Sequence, residues 1–219
     1  MKNLYSKNIW FLIPYFIFLI ICAGLLLCFP KTELHILLNK ANSTFFDIFF
    51  KYTTHLGDGT VIAILAIVFL FIKYRYFFAF LLGSLSAAVA VNLFKKVFLD
   101  EMYRPSKYFE LFESYQLHLI EGVKLHSLQS FPSGHTATAF SVFLMLALIT
   151  KNRWGKLLLF FGAILVAYSR VYLSQHFLID IAVGSLISVV LMLSSFWWVQ
   201  NWQKSWLNKS VLTLAKSSK

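Results

Sequence analysis

Six long apolar runs constrain this chain more than any other feature. They occupy residues 9–29, 60–72, 77–99, 136–149, 157–168 and 177–199. An α-helix crosses the hydrocarbon of a bilayer with roughly 20 mostly apolar residues, and it satisfies every backbone polar group internally while doing so. The second, fourth and fifth runs are short in their cleanest form and extend through flanking Gly, Ser, Thr or Tyr. With 59% of residues hydrophobic and only 13% charged, the composition excludes an ordinary soluble domain. The expected fold is all-α: a bundle of six transmembrane helices forming one domain over residues 1–219. No hydrophilic stretch is large enough to build a second core.

The charges orient such a bundle. Lys2, Lys7, Lys73, Arg75, Lys151, Arg153, Lys156, Lys204, Lys209, Lys216 and Lys219 all fall on one side of the six-span arrangement, with no acidic residue among them. All nine Asp and Glu fall on the other side, with nine Lys and Arg to balance them, so the net charge of +11 sits on one face. The positive-inside rule assigns that face to the cytoplasm, together with both termini. The reading is an integral protein of a bacterial inner membrane whose opposite face looks to the periplasm or exterior. Nucleic-acid binding, the other reading of a high pI, is set aside because the basic residues are divided among short loops. The first run is longer than a signal-peptide core and has no small-residue cleavage site before Pro30, so it reads as a retained span. Cys22 and Cys28 lie on different faces of that helix and are expected to pack rather than pair.

Two outer connections have character of their own. The stretch "STFFDIFFKYTTHLGDG" between the first two spans is aromatic enough to lie in the membrane interface. The longest connection, residues 100–131, alternates apolar and polar residues on both sides of Glu121-Gly122. That alternation predicts a short β-hairpin lying over a site, and a loop this long in a compact protein usually serves a binding or covering role.

The polar residues at the outer ends of the later spans are expensive near hydrocarbon, and ionisable groups there carry a functional default. Arg170, His176 and Asp180 stand together in "SRVYLSQHFLID", and "PSGH", ending at His135, opens the fourth span. His176 and Asp180 are four residues apart, which places them on one helical face. A carboxylate beside an imidazole fixes its tautomer and leaves the other nitrogen to react. Ser133 and the Gly134 amide sit where a helix begins, and exposed amides there favour an anion. Arg104 and Arg170 carry forked donors suited to phosphate. No acidic cluster has metal-ligand spacing. A lone edge arginine is usually an anchor, Ser133 alone is usually a helix cap, and His35, His55, His118 and His126 read as packing residues.

Taken together these motifs resemble the type 2 phosphatidic acid phosphatase family, which is related to acid phosphatases and vanadium haloperoxidases. Ser169-Arg170, five residues, His176, three residues and Asp180 match its third signature, and Pro132 to His135 match the second. Arg104-Pro105 match the end of the first, a Lys followed by six residues and Arg-Pro. Here that Lys position holds Val97, with Lys96 one residue early and Lys95 two. The resemblance implies a metal-independent hydrolase without a cofactor. His176 would form a phosphohistidine, Asp180 would orient it, and His135 would act as acid and then base. Arg104, Arg170, Ser133, Gly134 and Lys96, preferred over Lys95, would bind phosphate. The implied substrate is a lipid phosphate or diphosphate in the bilayer, such as undecaprenyl diphosphate, a lipid A phosphate or phosphatidylglycerol phosphate. No nucleic acid and no obligate protein partner is implied. The rival from another class is a lipid-phosphate binding or transport protein that uses the same cations without turnover; a soluble haloperoxidase-like vanadate site is disfavoured by the six spans.

Overall fold

The computed structural model describes residues 2–99 and 101–213, and every regular element among them is helical. Asp100, Lys216 and Lys219, counted in the charge asymmetry, lie outside the described residues, as does the side chain of Lys2. In chain order the helices are α1 (Lys2–Lys7), α2 (Ile9–Cys28), α3 (Lys31–Lys40), α4 (Thr44–Thr53), α5 (Gly59–Ile72) and α6 (Tyr74–Leu93). After them come α7 (Pro105–Phe112), α8 (Gly134–Ile149), α9 (Arg153–Tyr172) and α10 (Leu178–Gln200).

Among the described residues, four helical rods are long and apolar enough to cross a membrane: Ile9–Cys28, Tyr74–Phe98, Arg153–Tyr172 and Leu178–Gln200. A fifth crossing is available only as a broken one. Thr44–Gly57 and Gly59–Ile72 meet at a bend of 54°. The remaining expected span, α8, is a 16-residue apolar helix, shorter than the others. The expected β-hairpin in the long outer loop does not form among the described residues. The chain reverses at Glu121-Gly122, with the Val123 amide donating to the Ile120 carbonyl at 3.2 Å and Gly122 at positive φ, but no strand ladder follows. The loop spends its polar groups elsewhere: the His118 amide donates to Asn39 Oδ1 at 2.8 Å, and the Glu121 carbonyl accepts from Lys51 Nζ at 2.7 Å.

Helix boundaries follow ordinary capping. Ser133 Oγ accepts from the Thr136 amide at the start of α8, and Asn152 Oδ1 accepts from the amides of Trp154 and Gly155 at the start of α9. At and just past the end of α10 the buried Arg75 guanidinium donates to the carbonyls of Val199, Gln200 and Trp202, where carbonyls run out of helical donors. Lys156 ties the start of α9 to the junction of α1 and α2 through the Lys7 carbonyl and Asn8 Oδ1. These two buried cations therefore secure the basic end of the bundle.

The centre is built by α6, α8, α9 and α10, with Phe80, Phe140, Met145, Ala163 and Met192 fully enclosed. The outward faces are apolar as well: Ile20, Leu27 and Leu158 are each at least 70% exposed. Surfaces of this kind suit lipid. Because lipid is as apolar as a leucine side chain, close packing and interhelical hydrogen bonds hold such helices together. Gly83 lets α6 close on Met192, and Ser141 and Ser188 share a hydrogen bond of 2.9 Å between α8 and α10.

A close backbone approach joins α10 to the residue before α8. A Cβ added to Gly184 would lie 2.5 Å from the Ser133 carbonyl oxygen, and the Ser133 amide donates to the Asp180 carbonyl at 2.9 Å. Gly184→Ala is therefore expected to cost roughly 1–3 kcal/mol by forcing the two elements apart. Gly24→Ala, which meets nothing within 4 Å, should be neutral or mildly stabilising, as Ala is preferred in a helix. Unfolding of both variants in matched detergent measures this, and a Gly184→Ala protein as stable as wild type would contradict it.

Candidate active site

His176 lies in the short turn between α9 and α10, and its side chain is 1% exposed. The turn is held from behind, because the amides of Gln175 and His176 both donate to the Arg170 carbonyl. His176 does not sit on the α10 helix with Asp180, as the four-residue spacing implied. The helix begins at Leu178, and Asp180 turns its carboxylate back over the N-terminus. Oδ2 of Asp180 accepts from the Phe177 amide at 3.0 Å, from Ser130 Oγ at 2.5 Å and from His176 Nδ1 at 3.3 Å. A carboxylate fixed by two other donors is a rigid acceptor for Nδ1–H, and the His176 lone pair then resides on Nε2. Burial, reinforced by the positive charges of Arg104, Arg170 and Lys95, holds the His176 imidazole well below its ordinary pKa. The ring is neutral at neutral pH, the form in which imidazole is a nucleophile.

Two guanidiniums stand in front of this turn. Arg104 occupies the residue before α7, where Pro105 starts the helix without needing an amide hydrogen. Its segment is laced to the one before "PSGH": the Arg104 amide donates to the Ser127 carbonyl, and the Ser130 amide to the Met102 carbonyl. Arg104 Nε donates to the Leu128 carbonyl at 3.0 Å and Nη1 to Gln175 Oε1 at 3.1 Å. Arg170, at the end of α9, donates from Nη1 to Thr54 Oγ1 at 2.5 Å, while its buried Nε has no acceptor. A buried guanidinium donor without a protein acceptor is rare, and such a donor is suited to an anion oxygen.

His135 belongs to the first turn of α8. Its Nε2 stands 2.9 Å from Oδ1 of Asp58, at the bend between the 3-10 turn Thr54–Gly57 and α5. Gly134 borders the same cavity as His135. Ser133, by contrast, is fully buried, and its Oγ is occupied as the α8 cap by the amide and hydroxyl of Thr136. Its contribution in this arrangement is to the backbone path.

The two candidate lysines are placed differently. Lys96 is exposed, whereas Lys95 borders the cavity beside His135 and donates from Nζ to the Gln129 carbonyl at 3.0 Å. The cause is local. Residues Phe94–Phe98 form a π-helical turn, closed by the Leu99 amide on the Phe94 carbonyl at 2.9 Å. A π-turn absorbs inserted residues within a helix, so eight residues rather than six separate Lys95 from Arg104 without carrying the lysine out of the site.

Two cavities meet here. A polar chamber of about 370 Å³ is lined by Arg104, Arg170, Lys124, His126 and Gln175 among others, under the Gly122–Lys124 turn. A smaller slot of about 230 Å³ runs between α5, α6 and α8, along Ala87, Ala88, Val91 and Ala137, with Ser84, Asn92, Lys95 and Ser141 on its walls as well. Asp58 and His135 border both. His176 opens on neither, but Arg104, Arg170, Lys95 and His135, which act on it electrostatically, all do.

Asp58, Ser130, Gln175 and Thr54 escaped the sequence reading. The one available signal was the acid between two glycines in "LGDG" at the head of a span. Of the histidines set aside as packing residues, His35 is buried on Ser174 Oγ at 3.1 Å and His118 pairs with Asp47 at 3.0 Å. His55 and His126, however, line the polar chamber. Among the described residues no group of three or more His, Cys, Asp or Glu is arranged to hold a metal ion.

Comparison with known proteins agrees with this geometry. Residues 76–204 match the model of the PAP2 superfamily. The chain is similar in structure to the crystal structure of Aquifex aeolicus LpxE, with a TM-score of 0.65 and 29% identity over 74% of this chain and 92% of that one. A crystal structure of a transmembrane PAP2 type phosphatidylglycerolphosphate phosphatase from Bacillus subtilis shares the fold, with a TM-score of 0.55 and 21% identity over 90% and 94% of the two chains. The "Bacitracin transport permease protein BcrC" of Bacillus licheniformis is 39% identical over 69 residues, a match covering 31% of this chain and 32% of that protein.

The two lysines make separable predictions for oxyanion binding. With vanadate as the probe, Lys95→Ala should weaken binding about 10- to 100-fold, the value of a charge-assisted hydrogen bond. Lys96→Ala should stay within about twofold of wild type, since an exposed charge is screened by water. Titration calorimetry in detergent reads both, and a larger loss in Lys96→Ala would reverse the assignment.

Proposed function

Because the chain belongs to the PAP2 superfamily, we propose that it is a metal-independent membrane lipid phosphatase that works through a phosphohistidine on His176. The observation that carries this reading is the juxtaposition of a buried neutral imidazole held by Asp180 with two guanidiniums, one of them short of an acceptor. The phosphoryl group enters the polar chamber and takes up the free Arg170 donor. It also displaces Gln175 Oε1 as the partner of Arg104, which gives phosphorus access to His176. Arg104, Arg170, Lys95 and the first amides of α8 at Gly134 neutralise the phosphoryl oxygens, which is most of what phosphoryl transfer requires.

Nε2 of His176 attacks phosphorus while Nδ1–H stays on Asp180. His135 gives its proton to the departing lipid oxygen, then accepts one from the water that cleaves the phosphorus–nitrogen bond. The small side chains of Ala87, Ala88, Val91 and Ala137 along the slot beside His135 accommodate the start of the lipid chain, so the headgroup reaches the cations while the tail stays in the bilayer. The substrate is a lipid phosphate monoester or diphosphate, with undecaprenyl diphosphate and lipid A phosphates ahead of phosphatidylglycerol phosphate. The basic end of the bundle faces the cytoplasm of a bacterial inner membrane, and the site faces outward. Binding or transport without turnover needs neither a nucleophile nor a proton donor, and this chain carries both.

Phosphate release from a panel of lipid phosphates in detergent tests the proposal. Wild type should turn over at least one of them in the presence of a strong chelator. His176→Ala should lose at least about 10⁴-fold in kcat, as expected when a covalent nucleophile is removed. Activity abolished by the chelator and restored by magnesium, or near-normal turnover by His176→Ala, would contradict it.

A further inference from the structure

Asp58 occupies the cap position of α5 in extended backbone, yet its side chain caps nothing. An aspartate there ordinarily accepts from the amides of its own helix and so stabilises it. This one turns away and stands between two imidazoles: Oδ1 lies 2.9 Å from His135 Nε2, and Oδ2 lies 2.9 Å from His55 Nδ1. The backbone is built for that contact. A Cβ on Gly57 would lie 2.8 Å from the His135 carbonyl oxygen and 3.0 Å from its Cβ, so glycine lets the bend press against the first turn of α8. Asp58 and His135 are also the residues common to the chamber and the slot. With phosphate in the chamber and lipid in the slot, the bridging oxygen between them lies at this junction.

An acid at that position has an electrostatic difficulty. It must carry its proton while facing Arg104 and Arg170 across the chamber. We infer that Asp58 is the positioning residue of the proton donor: it holds His135 as an imidazolium aimed at the departing oxygen, and His55 pins the second carboxylate oxygen so that the first stays on His135. The inference rests on the reading of His135 as that donor. The site then contains two His–Asp pairs, one for attack (His176–Asp180) and one for departure (His135–Asp58). In the first step the His135 N–H proton passes to the lipid oxygen as the phosphorus–oxygen bond breaks. In the second, neutral His135 takes a proton from water as the phosphorus–nitrogen bond breaks. Asp58 remains a carboxylate through both.

A merely structural Asp58 would affect all substrates alike, whereas a residue that sustains the acid affects phosphorylation of His176 only by those whose leaving group needs a proton. The test compares a lipid alkyl phosphate with 4-nitrophenyl phosphate, whose phenolate departs unaided, and reads kcat/KM, which reports the steps through phosphorylation and not the hydrolysis common to both. Asp58→Asn should reduce kcat/KM on the alkyl phosphate about 100-fold or more, and on the aryl phosphate by less than about fivefold. His55→Gln should show the same split, reduced to about three- to tenfold on the alkyl substrate. If Asp58→Asn does not yield folded protein, Asp58→Glu, with its charge on a longer arm, carries the comparison. Equal losses on both substrates would overturn the role of Asp58. His135→Ala separates the two claims: if it shows the split and the Asp58 variants do not, this inference alone fails, and if it shows none, the reading of His135 as donor fails.

Discussion

The approach of Ser133 to α10 is the contact on which the site depends. Gly184 presents no side chain to the Ser133 carbonyl, and the Ser133 amide is anchored on the Asp180 carbonyl. Asp180 therefore serves two roads at once. Its backbone fixes where α8 starts, and thus where His135 stands, while its carboxylate fixes the ring of His176. Ser130, three residues before Ser133, adds its hydroxyl to the same carboxylate. Relative placement of the two histidines is thus set by one residue and a missing Cβ, at the rigid end of a bundle rather than on a mobile loop.

Charge placement explains the remaining form of this end. Unpaired cations in a low-dielectric setting are costly, and two of them are partly satisfied by backbone carbonyls that the outer loop supplies: Leu128 for Arg104 and Gln129 for Lys95. The loop is irregular because it is spent on these contacts, which a two-stranded ladder would have consumed. Burial keeps His176 neutral, and the guanidiniums add to its effect. The broken span between α4 and α5 has a comparable logic. Its bend exposes Asp58 at the chamber, and non-helical backbone at such depth is tolerated where it lines a cavity.

Much of this was legible in the sequence, for identifiable reasons. Apolar runs report helices directly, and the motifs around Arg104, His135, Arg170, His176 and Asp180 converge on one end of the bundle as their order implied. What was illegible depended on geometry that spacing does not encode. The four residues between His176 and Asp180 looked like one helical turn, but the helix starts between them and the carboxylate folds back. Lys96 looked better placed than Lys95 because a regular helix was assumed, and the π-turn at Phe94–Phe98 alters the register. Asp58 stood far from every motif and became visible only when the bend set it against His135. The alternation around Glu121-Gly122 marked a reversal without the pairing that a hairpin needs.

The claim that His176 is the covalent nucleophile is tested most directly by locating the phosphoryl group on the protein. His135→Ala treated with 4-nitrophenyl phosphate should accumulate phosphoenzyme, because departure of the phenolate needs no acid while the hydrolytic water lacks its base. Quenching at high pH preserves the acid-labile phosphorus–nitrogen bond, and peptide mass spectrometry then reads the site. The account predicts phosphohistidine at His176 and its absence when His176→Ala is combined with the first substitution. Phosphate found on another residue, or turnover by the wild type with no phosphoenzyme trapped under any quench, would contradict it.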